Sequence, residues 1–500
     1  MVENIHGASP AIGANAACVQ SALDYSNIQY GHNFYVDGTP GTGDLFFGGN
    51  WHTWLVGGFG AGGAGIYALD ITNPNSGFTE GNAASLVVGE WTSATLACTN
   101  VAGCGASLGS TFGTPQIKRF HNGMWGAVFG NGFGSTSGDA GIYIMTVNPI
   151  SGAQTFYYLS AGQAGKADGI AYASAADLDG DNIVDYIYAG DLNGNVWRFD
   201  VTSSNPTQWA LSSSTPLFTT PAGQPITSQV LTVVLAETTS LPRLLVEFGT
   251  GRQIPTTNSS PTTYSTGTQT LYGIWDWNMS SWNAKSSSPF ASLPAPETVA
   301  LATLEPQTVL GVFTSTATGN QYRTISSNPV CWSGSTSCVG SSNNQFGWYL
   351  NLPGTNEQVI YNPTLQLGVF LVNTTIPPVA TPFQCTTSAA TGWTFGISPA
   401  NGGTFSQSTF GDSVTSFNTY NNQVVGAEST NGSGSTSVVL AGGHTFVVMQ
   451  TTAPAGANGT SSSGGSSSSG ASGGSGSAGL GAPLNIPNPH SNRATWVERR

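Results

Sequence analysis

A unit of three or four short strands recurs along this chain, and this repetition limits the folds that the chain can adopt. In the first two copies, Gly-Thr-Pro precedes a strand, a turn and a Trp-containing apolar strand; a glycine-rich turn, Gly-Ile-Tyr and a last strand follow. One such sheet cannot bury both of its faces, whereas several sheets packed around an axis can. The copies and related segments are 37–74, 112–149, 171–202, 241–277, 357–402 and 437–450.

The repetition and the composition together predict an all-β fold, a β-propeller of about six to eight blades with long inter-strand insertions. Lys and Arg total only 11, too few for the charged faces of long helices, whereas 67 glycines suit many tight hairpins. The insertions lie near 75–110, 202–225 and 278–345. An array of β-sandwiches is the alternative architecture.

Composition also predicts where the folded domain begins and ends. Residues 31–452 carry the repeats and are assigned to the propeller. Residues 453–482 are nearly all Gly, Ser, Ala and Thr and are expected to form a flexible linker, and 483–500 form a C-terminal tail. Residues 1–30 lack a signal sequence, which fits a chain cut from a longer precursor or one that misses its true start.

Charge and hydropathy exclude several partner classes. The net charge is −13, so no clustered Lys and Arg are available for nucleic acid or for an anionic membrane surface. No apolar run of about 18 residues exists, so direct membrane insertion is not expected.

The six cysteines lack a C-x-x-C pair, which argues against a zinc knuckle, and their even number in polar loops suggests an oxidising compartment. Two local pairs are predicted, Cys98–Cys104 and Cys331–Cys338, and Cys18–Cys385 follows by elimination.

Four aspartates in nine residues stand out in a chain with only 7% charged residues. Numbered from the first aspartate, carboxylates fall at positions 1, 3, 5 and 9, the spacing with which an EF-hand-type loop begins. Asn at position 6 tolerates the left-handed turn where such loops have Gly. Position 12 is Tyr188, so the position-9 carboxylate must close the shell. The predicted ligands of a Ca²⁺ ion are Asp177, Asp179, Asp181, the Ile183 carbonyl and Asp185.

Two other polar features are interpreted as structural. The segment Asp191–Asn195 has the composition of a hairpin turn before the Trp197 strand. The histidines are scattered, and His32 and His121 belong to turn motifs. No nucleophile elbow and no P-loop are present, so an enzyme is not expected.

With these features in hand, the chain resembles the C-terminal propeller of the type IV pilus tip-associated proteins, the PilY family. The resemblance spans about residues 30–450 and follows an ordered series of motifs. These are "FYVDGTPGTGD" (34–44), "LVGGFGAGGAGIYALDITNP" (55–74), "HNGMWGAVFGNGF" (121–133), "DLDGDNIVDYIYAGDLNGNVWRFD" (177–200), "FGTGR" (248–252), "LYGIWD" (271–276) and "GWYLNLP" (347–353).

The resemblance implies a modified quinoprotein-like β-propeller whose calcium loop matches the five predicted ligands. It implies a non-enzymatic protein that supports type IV pilus assembly and extension, twitching motility and surface adhesion, with calcium biasing extension against retraction. The implied location is extracellular, at the pilus tip or cell surface. The implied partners are the minor pilins of the pilus tip complex, and host or abiotic surfaces.

Two alternatives share the propeller and the calcium. A quinoprotein-like dehydrogenase would hold its ion on the axis beside a quinone, and the adjacent Cys-Cys that many such enzymes carry is absent from the sequence. An integrin-like receptor-binding propeller would have several aspartate loops on successive blades, whereas this chain has one.

Overall fold

The computed structural model describes residues 34–484, apart from 163–164, 236–241, 255–262, 280–289, 292, 294–298, 315–320, 337, 379–389, 407, 411–418, 421–422, 431–435, 442–443 and 451–477. Strands account for 46% of the described residues and helices for 7%, which confirms the all-β class.

The first repeat folds into blade I, a four-stranded antiparallel sheet in chain order. The tight turn between its first two strands needs positive φ at Gly48 and Gly49 (58° and 79°), which only glycine adopts readily. The insertion after the third strand carries short helices and then the outer strand. The elements are β1 (Gly41–Phe47), β2 (Asn50–Gly58), β3 (Gly65–Asp70), α1 (Pro74–Gly77), α2 (Ala83–Leu86) and β4 (Val87–Thr92), with 3-10 turns at Gly60–Gly62 and Glu80–Asn82.

The second and third repeats form blades II and III in the same way. Blade II contains β5 (Gln116–Arg119), β6 (Trp125–Gly130), β8 (Gly141–Val147) and β9 (Gln154–Ser160), and the short β7 (Gly132–Phe133) pairs with β10 (Gly169–Ile170). Blade III contains β11 (Ala173–Ala176), β12 (Tyr186–Gly190) and β13 (Asn195–Asp200), against which β14 (Ala210–Leu211) and β15 (Phe218–Thr219) pair. Two 3-10 turns flank these strands, at Cys104–Ser107 and Pro206–Gln208.

Blade IV draws an outer strand from the long third insertion. Its order is β16 (Leu231–Leu235), β17 (Arg243–Gly249), β20 (Thr270–Trp275), β24 (Gly347–Asn351) and β21 (Glu305–Gln307), the last running parallel to β24. A side hairpin joins β18 (Gln253–Ile254) to β19 (Thr263–Tyr264), and a 3-10 turn spans Leu301–Thr303.

Blade V is a seven-stranded sheet assembled from distant segments. Its order is β22 (Val309–Thr314), β23 (Gln321–Ile325), β29 (Gln423–Thr430), β27 (Thr391–Ile397), β26 (Val369–Ile376) and β25 (Thr364–Gln366), and β28 (Thr419–Tyr420) pairs with β29. The predicted insertions are therefore not only loops, because they supply β4, β14, β15, β21, β22 and β23.

A three-stranded sheet closes the described chain. It contains β30 (Ser437–Ala441), β31 (His444–Gln450) and β32 (Ala478–Leu484). The predicted boundary at 482 between linker and tail thus lies inside a strand. Counting sheets of three or more strands, the described residues form six, the lower end of the predicted range.

Successive blades pack face to face around a core of large side chains. The first strands β1, β5 and β11 lie next to one another. Blades I and II approach so closely that a Cβ on Gly43 would lie 2.8 Å from the Ile117 Cβ. The largest fully buried side chains include Trp197, Trp275 and Trp348.

Two buried ion pairs reach across the sequence. Arg198 Nη1 of blade III lies 2.8 Å from Asp276 Oδ2 at the end of β20, and the Tyr188 hydroxyl donates to the same oxygen. Arg323 Nη1 lies 2.7 Å from Glu357 Oε1. Breaking such a pair on one side would strand a buried charge, so these contacts hold the segments in one arrangement.

The two local disulfides are confirmed, as Cys98 bonds to Cys104 and Cys331 to Cys338. The proposed partners Cys18 and Cys385 lie outside the described residues.

Candidate metal centre

The aspartate-rich segment forms the loop between the two inner strands of blade III. Strand β11 ends at Ala176 and β12 begins at Tyr186. The Asp185 amide donates to the Ala176 carbonyl at 2.9 Å, which closes the base of the loop. Beyond that pair β11 and β12 are paired residue by residue, from Ala176 opposite Tyr186 to Ala173 opposite Ala189. The sheet therefore fixes both ends of the loop.

Three of the predicted ligands converge. Asp177, Asp179 and Asp185 each offer a carboxylate oxygen, and these oxygens all lie within 4.8 Å of one another. Asp185 is buried, Asp177 half-buried and Asp179 exposed. Partial burial raises the pKa of Asp179, and the charges of Asp185 and Asp181 raise it further. The carboxylates therefore repel each other unless a cation lies between them.

The loop backbone holds this arrangement through its own amides. Gly180 N donates to Asp177 Oδ1 at 2.7 Å, and Asn182 N donates to Asp177 Oδ2 at 2.8 Å. Asn182 has a φ of 66°, the left-handed conformation expected at the sixth position of the loop.

The other two predicted ligands are not part of this cluster. The Asp181 carboxylate is not among the converging oxygens, and its Oδ1 accepts a hydrogen bond from Ile183 N at 2.7 Å. Asp181 and Ile183 remain predictions.

The donor set suits a hard cation. All three converging groups are carboxylates, with no sulfur or imidazole among them, and oxygen-only sites suit Ca²⁺ or Mg²⁺ rather than Zn²⁺ or Cu²⁺. A loop closed by backbone hydrogen bonds and open to solvent at Asp179 fits the flexible, many-oxygen shell of Ca²⁺ better than the strict octahedron of Mg²⁺.

A neighbouring blade contributes a residue that the sequence analysis assigned only to a turn. His121 lies in the β5–β6 turn of blade II, and its Nε2 is 2.9 Å from Asp185 Oδ1. This hydrogen bond raises the pKa of His121, although partial burial opposes the rise. Beside it, Val184 N donates to the Arg119 carbonyl at 2.9 Å. Only the position of His121 in its repeat could have indicated this contact. The β5–β6 turn of blade II corresponds to the aspartate loop of the following repeat.

The second acidic segment is a structural turn, as predicted. Asp191 is fully buried and accepts four hydrogen bonds, from Asn193 N, Asn195 N, Asn195 Nδ2 and Trp197 Nε1. Burial and the charge of Asp168 nevertheless raise the pKa of Asp191 to about 7.

Comparison with known proteins agrees with the blade architecture. A family model described as the PilY1 beta-propeller domain matches residues 13–291, more than half of the chain. The chain belongs to the PilY1 family.

Relatives of this PilY1-family chain carry the same name. "Type IV pilus biogenesis factor PilY1" of Pseudomonas aeruginosa strain UCBPP-PA14 is 32% identical over 439 residues, covering 81% of this chain and 35% of that protein. A "Type IV pilus biogenesis factor PilY1 homolog" of Xylella fastidiosa is 30% identical, covering 76% of this chain and 24% of that protein. The chain thus spans about a third or less of the length of these relatives.

A solved structure matches the PilY1-family fold over most of its length. The crystal structure of the Pseudomonas aeruginosa PilY1 C-terminal domain superposes with a TM-score of 0.64 at 29% identity, covering 83% of this chain and 82% of the other. This similarity supports the β-propeller that the repeats predict and the modified form that the resemblance implies. Within the described part of this PilY1-family chain, no helix is long and apolar enough to cross a membrane.

Proposed function

We propose that this propeller binds Ca²⁺ in the 177–185 loop and acts as a calcium-responsive domain in type IV pilus biogenesis. The observation that carries the calcium assignment is the convergence of oxygens from Asp177, Asp179 and Asp185 within 4.8 Å. Asp181 and the Ile183 carbonyl would complete the shell after a local rotation of the loop, since calcium takes six to eight oxygens.

The pilus role rests on the relatives, which are named as type IV pilus biogenesis factors. In this proposal the domain supports pilus assembly and extension, twitching motility and surface adhesion, at the pilus tip and in contact with minor pilins. Binding, rather than catalysis, is its mode of action. The carboxylate cluster lies in a loop at the end of two strands, and the one histidine that contacts it among the described residues, His121, is hydrogen-bonded to Asp185.

Calcium would act through a single hairpin. The ion would neutralise part of the charge of the loop and hold it between β11 and β12. Because Asp185 and Val184 also contact blade II, a filled loop would fix the relative position of two blades. Without the ion, the contact between blades II and III at this loop would consist of the hydrogen bond between His121 and Asp185 and the backbone hydrogen bond from Val184 N to the Arg119 carbonyl.

A thermal unfolding titration tests the calcium assignment. The melting temperature should rise with micromolar to millimolar CaCl₂, return after addition of a chelator and respond weakly to MgCl₂, because binding to the native state alone stabilises it. Equal shifts with both ions, or none, would refute a calcium site.

The pilus role needs a cellular test. A chromosomal Asp185→Ala substitution in the host cells should reduce twitching and surface pili, while Asp44→Ala, which removes an exposed carboxylate of β1, should not. If cells whose domain no longer binds calcium show normal motility, the calcium site would stand but its role in pilus function would be refuted.

A further inference from the structure

Three hairpin turns of blades I and II meet at one edge of the molecule and present apolar side chains there. The β1–β2 turn touches the β8–β9 turn, where Gly48 N donates to the Pro149 carbonyl at 2.9 Å. The β1–β2 turn also touches blade II through Trp51 and Trp125, whose ring centroids are 5.6 Å apart. We call Phe46, Trp51, Trp125 and Ile150 the aromatic rim.

Three of the four side chains of the aromatic rim are exposed, and Trp125 is half-buried. Ile150 is 84% exposed, Trp51 58% and Phe46 40%. Phe46 and Trp51 pack edge to face at 5.4 Å, so the rings support one another without being covered. Contiguous exposed aromatic groups of this kind mark interaction sites rather than ordinary surface.

A positive charge lies beside the aromatic rim. Arg119 is opposite Trp125 in the register of β5 and β6, and Lys118 precedes it. Neither cation forms an ion pair among the described residues. Of the other described arginines, Arg198, Arg243 and Arg323 are buried. In a chain with a net charge of −13, the unpaired Arg119, beside the half-buried Trp125 that contacts the exposed Trp51, complements a partner that is apolar and acidic.

The calcium loop touches the same turn from the other side. The Arg119 carbonyl accepts from Val184 N, and His121 contacts Asp185. The four aspartates of this loop, which contacts the β5–β6 turn, would repel an acidic partner while the loop is empty. A bound Ca²⁺ would cancel two of those charges and so reduce that repulsion.

We propose that the aromatic rim is a docking site for a protein segment that carries apolar side chains next to carboxylates, and that calcium strengthens this docking. The calcium dependence rests on the proposed function above. The docking itself rests on the exposed aromatic side chains and the unpaired cations.

Three fluorescein-labelled synthetic peptides of equal length test the docking by fluorescence polarisation. One has apolar residues between aspartates, one has the same residues between lysines, and one has serines between aspartates. The first should bind in CaCl₂, and the other two should bind at least tenfold more weakly. Equal binding of all three would overturn the proposal.

Variants of the whole chain locate the site. Trp51→Ser and Arg119→Gln should each weaken the apolar acidic peptide at least fivefold. Phe78→Ser, which removes another aromatic side chain that is 52% exposed, should leave binding unchanged. If Phe78→Ser weakens binding as much as Trp51→Ser, the rim is not the site.

Two further results decide the remaining points. A chelator should weaken peptide binding several-fold in the parent and not in Asp185→Ala. If the chelator leaves peptide binding unchanged while the melting temperature does respond to calcium, only the coupling between calcium and docking would be overturned.

Sedimentation should show a monomer. A concentration-dependent dimer that Trp51→Ser abolishes would assign the rim to a second copy of the chain and overturn the proposed partner.

Discussion

Two acidic turns at opposite ends of β12 use aspartate in opposite ways. In the turn that follows β12, Asp191 is buried and accepts four hydrogen bonds, all from the turn itself and the strand after it. In the loop that precedes β12, Asp177, Asp179 and Asp185 direct oxygens toward one another. The difference shows that aspartate density alone does not define a metal site. What matters is whether protein donors or other carboxylates face the oxygens.

The largest expected effect is a loss of unfolding free energy when the Asp191 turn, which needs no ion, is disrupted. Asp191→Ala would leave three buried donors without their acceptor, the backbone and side-chain amides of Asn195 and the Trp197 indole. Because each buried unsatisfied donor costs about 1–3 kcal/mol, we expect a loss of at least about 3 kcal/mol of unfolding free energy. Urea unfolding in saturating calcium measures it. Calcium affinity should stay unchanged, and a loss below about 1 kcal/mol would contradict this view of the turn.

The same turn should also make stability depend on pH. The pKa of Asp191 is raised to about 7 in the folded protein, mainly by burial and then by Asp168, and is about 4 in the unfolded chain. The folded state therefore keeps a proton that the unfolded state releases, so stability falls as pH rises from 4 to 7. We expect a fall of about 1 kcal/mol per pH unit from this group.

Asp168→Asn isolates the effect of the Asp168 charge on the pKa of Asp191 and on the pH dependence of stability. The change removes the neighbouring charge but keeps an oxygen to accept from Gly169 N and Leu192 N. The pH dependence measured by urea unfolding should become flatter in this variant. An unchanged profile would mean that Asp168 does not influence the titration of Asp191.

In the 177–185 loop the expected effect is on the affinity for calcium. Asp185→Ala removes the most buried converging carboxylate and should weaken calcium binding at least tenfold, a change of about 1.4 kcal/mol. Isothermal titration calorimetry measures this, with Asp44→Ala as the control. If Asp185→Ala binds calcium as the parent does, Asp185 is not a ligand.

The smallest effect concerns the loop backbone. Asn182 has a φ of 66°, a conformation that costs a β-branched residue about 1–2 kcal/mol more than glycine. Asn182→Val should therefore weaken calcium binding roughly fivefold to tenfold, whereas Asn182→Gly should bind like the parent. The two titrations are compared side by side, and equal affinities would show that the loop adapts without strain.

Local patterns predicted much of the fold. The Gly-Thr-Pro repeats and Gly-Ile-Tyr strands anticipated blades I and II, and short cysteine spacings anticipated both described disulfides. The aspartate spacing anticipated three converging oxygens, and the left-handed Asn182 followed from its place in the loop.

Contacts between distant segments could not be predicted in this way. His121 and Asp185 belong to different repeats, and only the packing of blade II on blade III brings them together. The rotation of Asp181 toward Ile183 N depends on competition between backbone donors within one loop, which a spacing rule does not resolve. The burial of Glu247 carries no local signal either; its carboxylate has no hydrogen-bond partner among the described residues, and burial raises its pKa strongly.

The strand order of blade V has a consequence for the order of synthesis. Strands β22 and β23 precede β26 and β27 in the chain, but β23 pairs with β29, where Arg323 is opposite Ala427. Blades I to III are each built from one continuous segment, so each can form as soon as its own segment is available. The β22–β23 hairpin instead keeps an unpaired edge until β29 has been made. During that interval the edge is open to other chains, so a holding chaperone that recognises extended segments would be needed at this stage of biosynthesis more than at any earlier one.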